Sequence, residues 1–347
     1  MIYLISQEWS NTSNNHAGMK YLCDSLQNIN IQEIKSISVP VLYVNHYDNK
    51  ILNKLYSIYV GFKYKMILKD IFKTLKKEVS SGDKIVLMEY METILPLKTF
   101  ASRCRKRFPN VSIYAMVHLV PSKLDKSIPS NKKFKKWIEP IDKILTLGHS
   151  LTDYLVSRGC LREKIVTTFH YVDNLYYKRS LPLSVSSPIK VIAMGNQMRN
   201  IELLYQVVHD NPNVEFTICQ GVCDMSNLFK GLKNVRLIPF VPERELKTYM
   251  EESDVSLNVM KDTIGSNVIT TSMAMGLAMI CSDVGSIRDY CNDDNCIFCK
   301  NITSNDFSSA IQCLVKDSSK LYSMKKSSIK QVENYTIDKF YDFIMKL

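Results

Sequence analysis

The feature that most constrains the fold is a regular alternation between short β-rich apolar runs and longer helical stretches. This rhythm indicates parallel β-sheets covered by helices, a doubly wound α/β architecture. Strands are predicted at residues 2–6, 41–45, 85–89, 112–118, 143–147 and 165–168, and again at 190–194, 214–220, 235–239, 254–259, 279–282 and 296–299. The clearest helical patterns are at 18–28, 52–78, 95–107, 243–252 and 267–275.

The alternation of strand and helix patterns begins again near residue 190, and this repetition predicts two domains. A chain of 347 residues also exceeds what one hydrophobic core usually serves. The stretch 174–188 has two prolines and clustered serines, which is linker composition. We therefore predict an N-terminal domain at 1–173, a linker at 174–188, a C-terminal domain at 189–335 and a last helix at 336–347 that crosses back to the first domain. Two such domains in tandem would face each other across a cleft, with ligands beyond the carboxyl ends of the strands.

Composition excludes several classes of protein. An apolar content of 46% with 23% charged residues excludes wholesale disorder. No apolar run approaches the roughly 18 residues of a membrane span, and MIYLIS at the start is typical of a first strand rather than a signal peptide. We expect a cytoplasmic protein whose 10 cysteines are mostly buried free thiols. Cys296 and Cys299 have CxxC spacing, but no second pair with zinc-site spacing lies nearby, so no metal site is predicted.

Positive charge is concentrated in the first half. Residues 1–173 hold 26 Lys+Arg against 15 Asp+Glu, whereas the remainder holds 19 of each. Basic residues mix with aromatic ones at 52–77 and 121–137, and basic residues recur at 95–107. This mixture suits the anionic inner leaflet of a membrane, and a merely solvated basic face is the alternative. Nucleic-acid binding is less favoured because no RNP, KH, helix-turn-helix or zinc pattern accompanies the charge.

The most specific segment is 235–286, which reads VRLIPFVPERELKTYMEESDVSLNVMKDTIGSNVITTSMAMGLAMICSDVGS. A strand leads to a Val-Pro-x-x-Glu-Leu stretch, a Gly-Ser-Asn turn opens a helix ending in Met-Ala-Met-Gly, and a strand ends in Ser-Asp-Val-Gly-Ser. This order resembles the donor-binding region of family 4 glycosyltransferases, which share the GT-B fold of two Rossmann-like domains.

The resemblance implies a nucleotide-sugar site in the C-terminal domain. The loop at Gly265, Ser266 and Asn267 opens a helix that continues with Val268, and a helix N-terminus is a natural seat for a diphosphate. The alternative is an ordinary N-capped packing helix. Val241 falls in the stretch that lines the nucleobase pocket in the family.

Two positions depart from the family pattern. The family has two glutamates eight positions apart, and the second accepts hydrogen bonds from ribose hydroxyls. Thr263 and Thr271 occupy these positions here. Threonine accepts hydrogen bonds but is uncharged and too short for a bidentate contact, so donor affinity, donor identity or activity itself is in question.

The run at 192–200 resembles the family's strand followed by a Gly-(Arg/Asn) turn and a cation. Gly195 lets the backbone approach a ligand, and Asn196 follows it. Arg199 is the candidate cation that neutralises the departing diphosphate, because a guanidinium fork suits phosphate oxygens. A solvated arginine before a helix is the alternative.

Three candidates lie in the first half. Gly18 belongs to the loop that, by resemblance, lets backbone approach the donor phosphates and the acceptor. His118 ends an apolar strand where, by resemblance, relatives place a histidine facing the transferred sugar, and the alternative is a structural histidine at the end of a strand. Glu89, with neighbouring Glu92, follows another strand and is a candidate acceptor-side base, and surface carboxylates are equally expected there.

The resemblance therefore predicts transfer of a sugar from a nucleotide diphosphate sugar to a growing polysaccharide or lipid-linked glycan. No cofactor beyond the donor and no metal is expected, because helix dipole, backbone amides and Arg199 would stabilise the leaving group. Three alternatives stay open: a catalytically silent GT-B subunit that scaffolds a glycan synthase, a basic nucleic-acid binder, and a nucleotide-sugar epimerase or hydrolase.

Overall fold

The computed structural model describes residues 1–9, 15–42, 49–92, 95–221, 223–300 and 302–347. The chain divides into two compact units, Met1–Thr168 and Phe169–Leu347. Each unit contains one six-stranded sheet in which all pairings between neighbouring strands are parallel. The predicted α/β class is confirmed.

The first unit is a sheet of order β2-β1-β3-β4-β5-β6. Its strands are β1 (Ile2–Glu8), β2 (Ile34–Pro40), β3 (Lys84–Tyr90), β4 (Ser112–Val117), β5 (Lys143–Thr146) and β6 (Ile165–Thr167). Its helices are α1 (Met19–Ile29), α2 (Lys50–Glu78), α3 (Leu97–Arg107), α4 (Pro121–Ser127), α5 (Asn131–Ile138) and α6 (His149–Ser157). The central strands β3 and β4 are buried at every residue after the first, as strands covered on both faces must be.

The prediction for the second strand is wrong at residues 41 and 42, which follow the strand Ile34–Pro40, and residues 43–45 lie outside the described part of the chain. β2 is an edge strand that pairs only with β1 among the described strands. Most of its residues are half-buried. Such a strand does not need the continuous apolar run that marks a central parallel strand.

The second unit is a sheet of order β12-β11-β10-β7-β8-β9. Its strands are β7 (Lys190–Ala193), β8 (Glu215–Gly221), β9 (Val235–Pro239), β10 (Val255–Asn258), β11 (Ala278–Ser282) and β12 (Cys296–Cys299). Its helices are α7 (Ile201–His209), α8 (Glu243–Glu251), α9 (Asn267–Ala274), α10 (Ser304–Lys316), α11 (Ser318–Val332) and α12 (Ile337–Met345). The chain runs outward from β7 to β9 and then returns to the other side of β7 as β10, so the strand order reverses between β7 and β10. Doubly wound sheets bind ligands at this kind of reversal.

The stretch with linker composition is packed on the second unit. The Tyr177 hydroxyl bonds to the Glu243 carboxylate at 2.6 Å. Arg179 donates to the backbone oxygens of Met275 and Glu251, at 3.2 and 2.9 Å, and so satisfies carbonyls at the C-terminal ends of α8 and α9.

The C-terminal helix α12 packs near the start of the second unit. Val172 donates its N–H to the Tyr335 oxygen at 2.8 Å and bridges to Thr336, and Phe169 contacts the Phe340 ring with centroids 5.7 Å apart. Phe169 and Val172 both belong to the second unit. The crossing of residues 336–347 to the first domain stays a prediction, as do the domain limits.

Candidate functional site

Most of the predicted donor-site residues in the second unit lie beyond the carboxyl ends of neighbouring strands. Gly195 and Asn196 follow β7, the residues from Thr263 to Val268 follow β10, and Val241 follows β9. Because all of these strands are parallel, their carboxyl ends share one edge of the sheet. Thr271 lies further along, within α9. The strand reversal between β7 and β10 is the centre of this edge.

Gly195 and Val268 are in direct contact. Gly195 has φ +80°, and a Cβ built on it would lie 2.9 Å from Cγ2 of Val268. The turn after β7 therefore lies against the first turn of α9, and a glycine is required both for its backbone angle and for the space. The structure thus brings these two predicted elements together.

The helix α9 begins without a side-chain cap. Ser266 is the N-cap residue with extended backbone angles, and within the described residues its hydroxyl accepts no hydrogen bond from the first turn. The Ser266 carbonyl accepts the N–H groups of Ile269 and Thr270, at 3.1 and 3.3 Å, but the Ser266 hydroxyl caps none, and α9 has no acidic residue in its first turn. Such an end attracts an anion through its dipole.

The two threonines that replace the family glutamates use their hydroxyls locally. The buried Thr263 accepts a hydrogen bond from the Gly265 N–H at 3.1 Å, and its carbonyl accepts from Ser286 N–H at 2.8 Å. The buried Thr271 donates to the Asn267 carbonyl at 2.6 Å, within α9. Both hydroxyls are therefore engaged within the loop and the helix at the site.

Two glycines allow neighbouring residues to pack closely against the loop after β10. A Cβ on Gly285, at φ +54°, would lie 2.1 Å from the Thr263 oxygen, so the turn after β11 is pressed on this loop. A Cβ on Gly265, at φ +97°, would lie 2.3 Å from the Tyr290 ring. Tyr290 is fully buried, and its hydroxyl accepts the His170 N–H at 2.7 Å. Sequence reasoning missed Tyr290, because nothing in its local pattern marks a contact with a loop 25 residues earlier.

Arg199 is a partly buried cation with no carboxylate partner among the described residues. Its backbone bridges to Met260, which fixes it between the ends of β7 and β10. Nη1 donates to the Cys219 oxygen on β8 at 3.1 Å, while Nη2 is buried and has no hydrogen-bond partner in the described chain. Burial lowers the pKa of Arg199 to about 10, so the guanidinium keeps its charge at neutral pH. Burying a positive charge without an acidic partner costs free energy unless a bound anion neutralises the charge.

Asn196 lies on the β8 side of the same edge. A Cβ on Gly221, at φ +60°, would lie 2.1 Å from Nδ2 of Asn196, so this asparagine covers the end of β8. Val241 is half-buried in the turn between β9 and α8. β9 lies two strands from β7, about 10 Å away at normal strand spacing.

The predicted residues of the first unit follow three neighbouring strands. Gly18 begins α1 after β1, Glu89 lies at the end of β3, and His118 follows β4 and is half-buried. Since β1, β3 and β4 are adjacent and parallel, all three share the carboxyl edge of the first sheet.

Glu89 is a buried carboxyl group with two polar contacts. It accepts the Gln7 N–H at 2.5 Å and the Trp9 indole N–H at 3.4 Å. Burial raises its pKa to about 8, and the nearby Glu92, whose own pKa is raised by burial, adds to the shift. A carboxyl group with this pKa can hold or release a proton near neutral pH. Sequence reasoning missed Gln7 and Trp9, although Trp9 directly follows the first strand.

Comparisons with known proteins find a family to which the second unit is similar. Residues 191–317 match the family described as Glycosyl transferases group 1. Over these residues the chain is similar to this family. The match contains the turn after β7, the loop after β10 and α9, and the predicted resemblance is confirmed.

Solved structures share the fold along the whole chain. The sucrose-phosphate synthase of Thermosynechococcus elongatus has a TM-score of 0.77 at 12% identity, covering 99% of this chain and 97% of that one. Anabaena HepE in complex with UDP has a TM-score of 0.73 at 12% identity, covering 100% and 99%. A glycosyltransferase of Rickettsia africae has a TM-score of 0.67 at 11% identity, covering 99% and 97%. At these identities the likeness shows the fold, which is that of GT-B proteins. No curated protein matches the sequence.

Three further observations on the described residues concern membrane-spanning helices, metal sites and disulfide bonds. None of the helices in the described part of the chain has both the length and the apolar character needed to cross a membrane. Within the described ranges, His, Cys, Asp and Glu form no group of three or more that could hold a metal ion. All ten cysteines are free, and eight of them, including Cys296 and Cys299, are buried.

Proposed function

We propose that this chain is a glycosyltransferase that takes a sugar from a nucleoside diphosphate sugar bound at the carboxyl edge of the second unit. The observation that carries this proposal is Arg199, a partly buried guanidinium without a carboxylate among the described residues. It lies beside a glycine turn that contacts the uncapped start of α9. A diphosphate would supply the missing negative charge to both features. As the bond to the sugar breaks, charge grows on that diphosphate, and Arg199 and the helix end would stabilise it without a metal ion.

The uridine nucleotides are the first donors to consider. HepE, which shares the fold, was solved with UDP and with UDP-glucose. Val241, in the turn after β9, and Thr263, in the loop after β10, are the proposed nucleobase and donor contacts. Thr271 lies in α9, which follows that loop. We propose that the transferred sugar is a hexose.

We assign the acceptor to the first unit. Glu89, once ionised, would accept the proton of the acceptor hydroxyl, and His118 would hydrogen-bond a sugar hydroxyl. The basic character of this unit suits a glycan acceptor attached to a lipid pyrophosphate at the anionic inner leaflet. The protein would then act in the cytoplasm, at or near the membrane, in polysaccharide synthesis.

Calorimetry with UDP, UDP-glucose, GDP and ADP tests the donor site. We expect one nucleotide to bind, and Arg199→Ala to weaken that binding by about tenfold to a hundredfold, since a charge-assisted contact is worth about 1.5–3 kcal/mol. Arg236→Ala is the matched control, because Arg236 is an exposed arginine that contacts Tyr249 rather than the site. If Arg199→Ala binds the nucleotide as tightly as the parent does, Arg199 does not belong to the donor site.

A second candidate is a catalytically silent subunit that scaffolds a glycan synthase. The hydroxyls of Thr263 and Thr271 favour it, because both are engaged with the backbone where the family has glutamates. No binding of any nucleotide in the panel would support the scaffold. Product formation without an acceptor would instead support an epimerase or a hydrolase.

A further inference from the structure

The long helix α2 has apolar residues on two opposite faces. One face packs on the sheet through buried residues such as Val60, Tyr64, Leu68 and Leu75. The other face is exposed and carries seven large apolar side chains, each between 49% and 70% exposed: Ile51, Leu52, Leu55, Ile58, Tyr59, Phe62 and Met66. We call these seven residues the α2 stripe.

The α2 stripe follows helical geometry. Ile51, Leu55, Ile58, Phe62 and Met66 are spaced by four, three, four and four residues, which keeps them on one side of a helix. At about 100° per residue, Phe62 points roughly 200° away from the buried Val60. The stripe therefore faces away from the core of its unit, and packing within that core does not account for it.

The charges along the stripe are positive. Lys54, Lys63 and Lys65 lie within its length and Lys69 follows it, whereas the first acidic residue of the helix is Asp70. Asp70 is paired with Lys73 at 2.8 Å. The Lys63 ammonium lies 5.4 Å from the centre of the Tyr59 ring. The stripe thus combines apolar side chains, aromatic rings and lysines, without a carboxylate among them.

The charge of the stripe favours a lipid surface over a second copy of this chain. The lysines along the stripe would repel the same lysines on a second copy, whereas lipid phosphates of an anionic leaflet would attract them. A membrane surface also needs no minimum contact area, because each apolar side chain and each lysine adds its own contribution.

We infer that the α2 stripe is a membrane-docking surface that lies in the headgroup region of an anionic lipid bilayer. The apolar side chains would enter the boundary of the acyl chains, and Lys54, Lys63 and Lys65 would meet lipid phosphates. This inference rests on the proposed lipid-linked acceptor for its biological purpose, and it names the surface and the lipid chemistry that would bring the first unit to that acceptor.

Co-sedimentation of the full chain with vesicles tests the surface without donor or acceptor. Vesicles of phosphatidylcholine alone are compared with vesicles holding 30% phosphatidylglycerol. We expect binding to the anionic vesicles that is at least tenfold stronger than to the neutral ones and that weakens as salt is raised, because surface charges are screened.

Two kinds of variant separate the apolar and the charged contributions. Phe62→Asn should weaken binding by about tenfold or more, given the transfer free energy of a buried phenyl ring. Lys63→Glu and Lys65→Glu should each weaken it by about fivefold or more, since each lysine near the surface contributes about 1 kcal/mol. The matched controls are Leu161→Asn and Lys330→Glu, both exposed and outside α2, which should bind as the parent does.

A second measurement follows the helix directly. In Tyr59→Trp the new indole should shift its fluorescence to the blue when anionic vesicles are added. Unchanged fluorescence, equal binding to both kinds of vesicle, or controls that weaken binding as much as Phe62→Asn would each overturn the inference. So would a concentration-dependent dimer, seen by analytical ultracentrifugation, that Phe62→Asn dissolves, because the stripe would then bind a second copy.

The test is independent of the nucleotide site. If vesicles bind and no nucleotide does, the docking surface stands and the transferase proposal fails. If a nucleotide binds and vesicles do not, the transferase proposal stands and the docking surface fails.

Discussion

At the scale of a single residue, Arg199 supports the proposed donor site by what it lacks. Cations that only stabilise a fold are usually paired with a carboxylate when they lose solvent. Arg199 instead bonds to one backbone oxygen and keeps a buried nitrogen without a partner in the described chain.

At the same scale, we predict that Arg199→Leu folds at least as stably as the parent. The change removes a desolvated charge, which burial alone disfavours, as its lowered pKa indicates. Urea unfolding should show an unchanged or higher midpoint, while nucleotide binding is lost. A large loss of stability would show instead that Arg199 mainly supports the fold.

Glu89 gives a second prediction for one residue, in the dependence of stability on pH. Its pKa in the folded chain, about 8, lies above its ordinary value of 4.5, so the folded state binds the proton more tightly than the unfolded state. The contribution of Glu89 to stability is therefore complete below about pH 4.5 and is lost as the pH rises to about 8.

Urea unfolding at pH 5, 6.5 and 8 measures this contribution. Glu89→Gln should flatten the decline in the free energy of unfolding over that range, although Glu92 will keep part of it. Glu163→Gln is the matched control, because Glu163 is exposed and should leave the decline unchanged. A parallel decline in Glu89→Gln and the parent would contradict the assignment.

Among the elements, the loop between β10 and α9 is held by packing rather than by its own sequence. Gly265 lies against the Tyr290 ring and Gly285 lies against the Thr263 carbonyl. The start of α9 is therefore positioned by residues from the following turn.

We predict that Gly265→Ala damages this element more than a typical glycine substitution does. The new Cβ would lie 2.3 Å from the Tyr290 ring at a φ of +97°, so the loop must move. Nucleotide affinity should fall by tenfold or more and stability by about 1–3 kcal/mol. Gly231→Ala is the control, since Gly231 also has a positive φ, +91°, but an added Cβ there meets nothing within 4 Å. Similar losses in both variants would show that backbone strain alone is responsible.

The sequence predicts elements well where their physical cause is local. Central strands such as β3 and β11 are continuous apolar runs because both of their faces are covered, and the pattern locates them. β2 was misplaced because an edge strand carries polar residues. Composition and spacing could not reveal that Tyr290 lies against Gly265, or that the hydroxyls of Thr263 and Thr271 bond locally. These contacts form only in the folded chain.

For the whole molecule, residues 174–188 are the part where the composition predicts a linker and the structure shows a packed segment. Their prolines and serines are typical of a linker, yet Tyr177 and Arg179 bond to α8 and to the ends of α8 and α9. Ser186 donates to the buried Asp254, and Leu183 lies where a Cβ on Gly276 would meet it, at 3.0 Å. Loss of this segment would expose the face of the second unit that it covers.

We therefore predict that two truncated chains will differ sharply. A chain of residues 169–347 keeps the whole of the second unit and should unfold cooperatively and bind the nucleotide of the full chain. A chain of residues 189–347 loses several hydrogen bonds of about 1 kcal/mol each and the bridge from Val172 to Thr336. Its thermal midpoint should lie about 10 °C or more below that of the longer fragment, because roughly 1 kcal/mol corresponds to 2–4 °C at this size. Equal midpoints in calorimetry would show that the segment only lies on the surface. Restoring residues 169–188 to the shorter chain as a separate peptide should raise its midpoint, whereas a peptide with Arg179→Ala and Tyr177→Phe should raise it less.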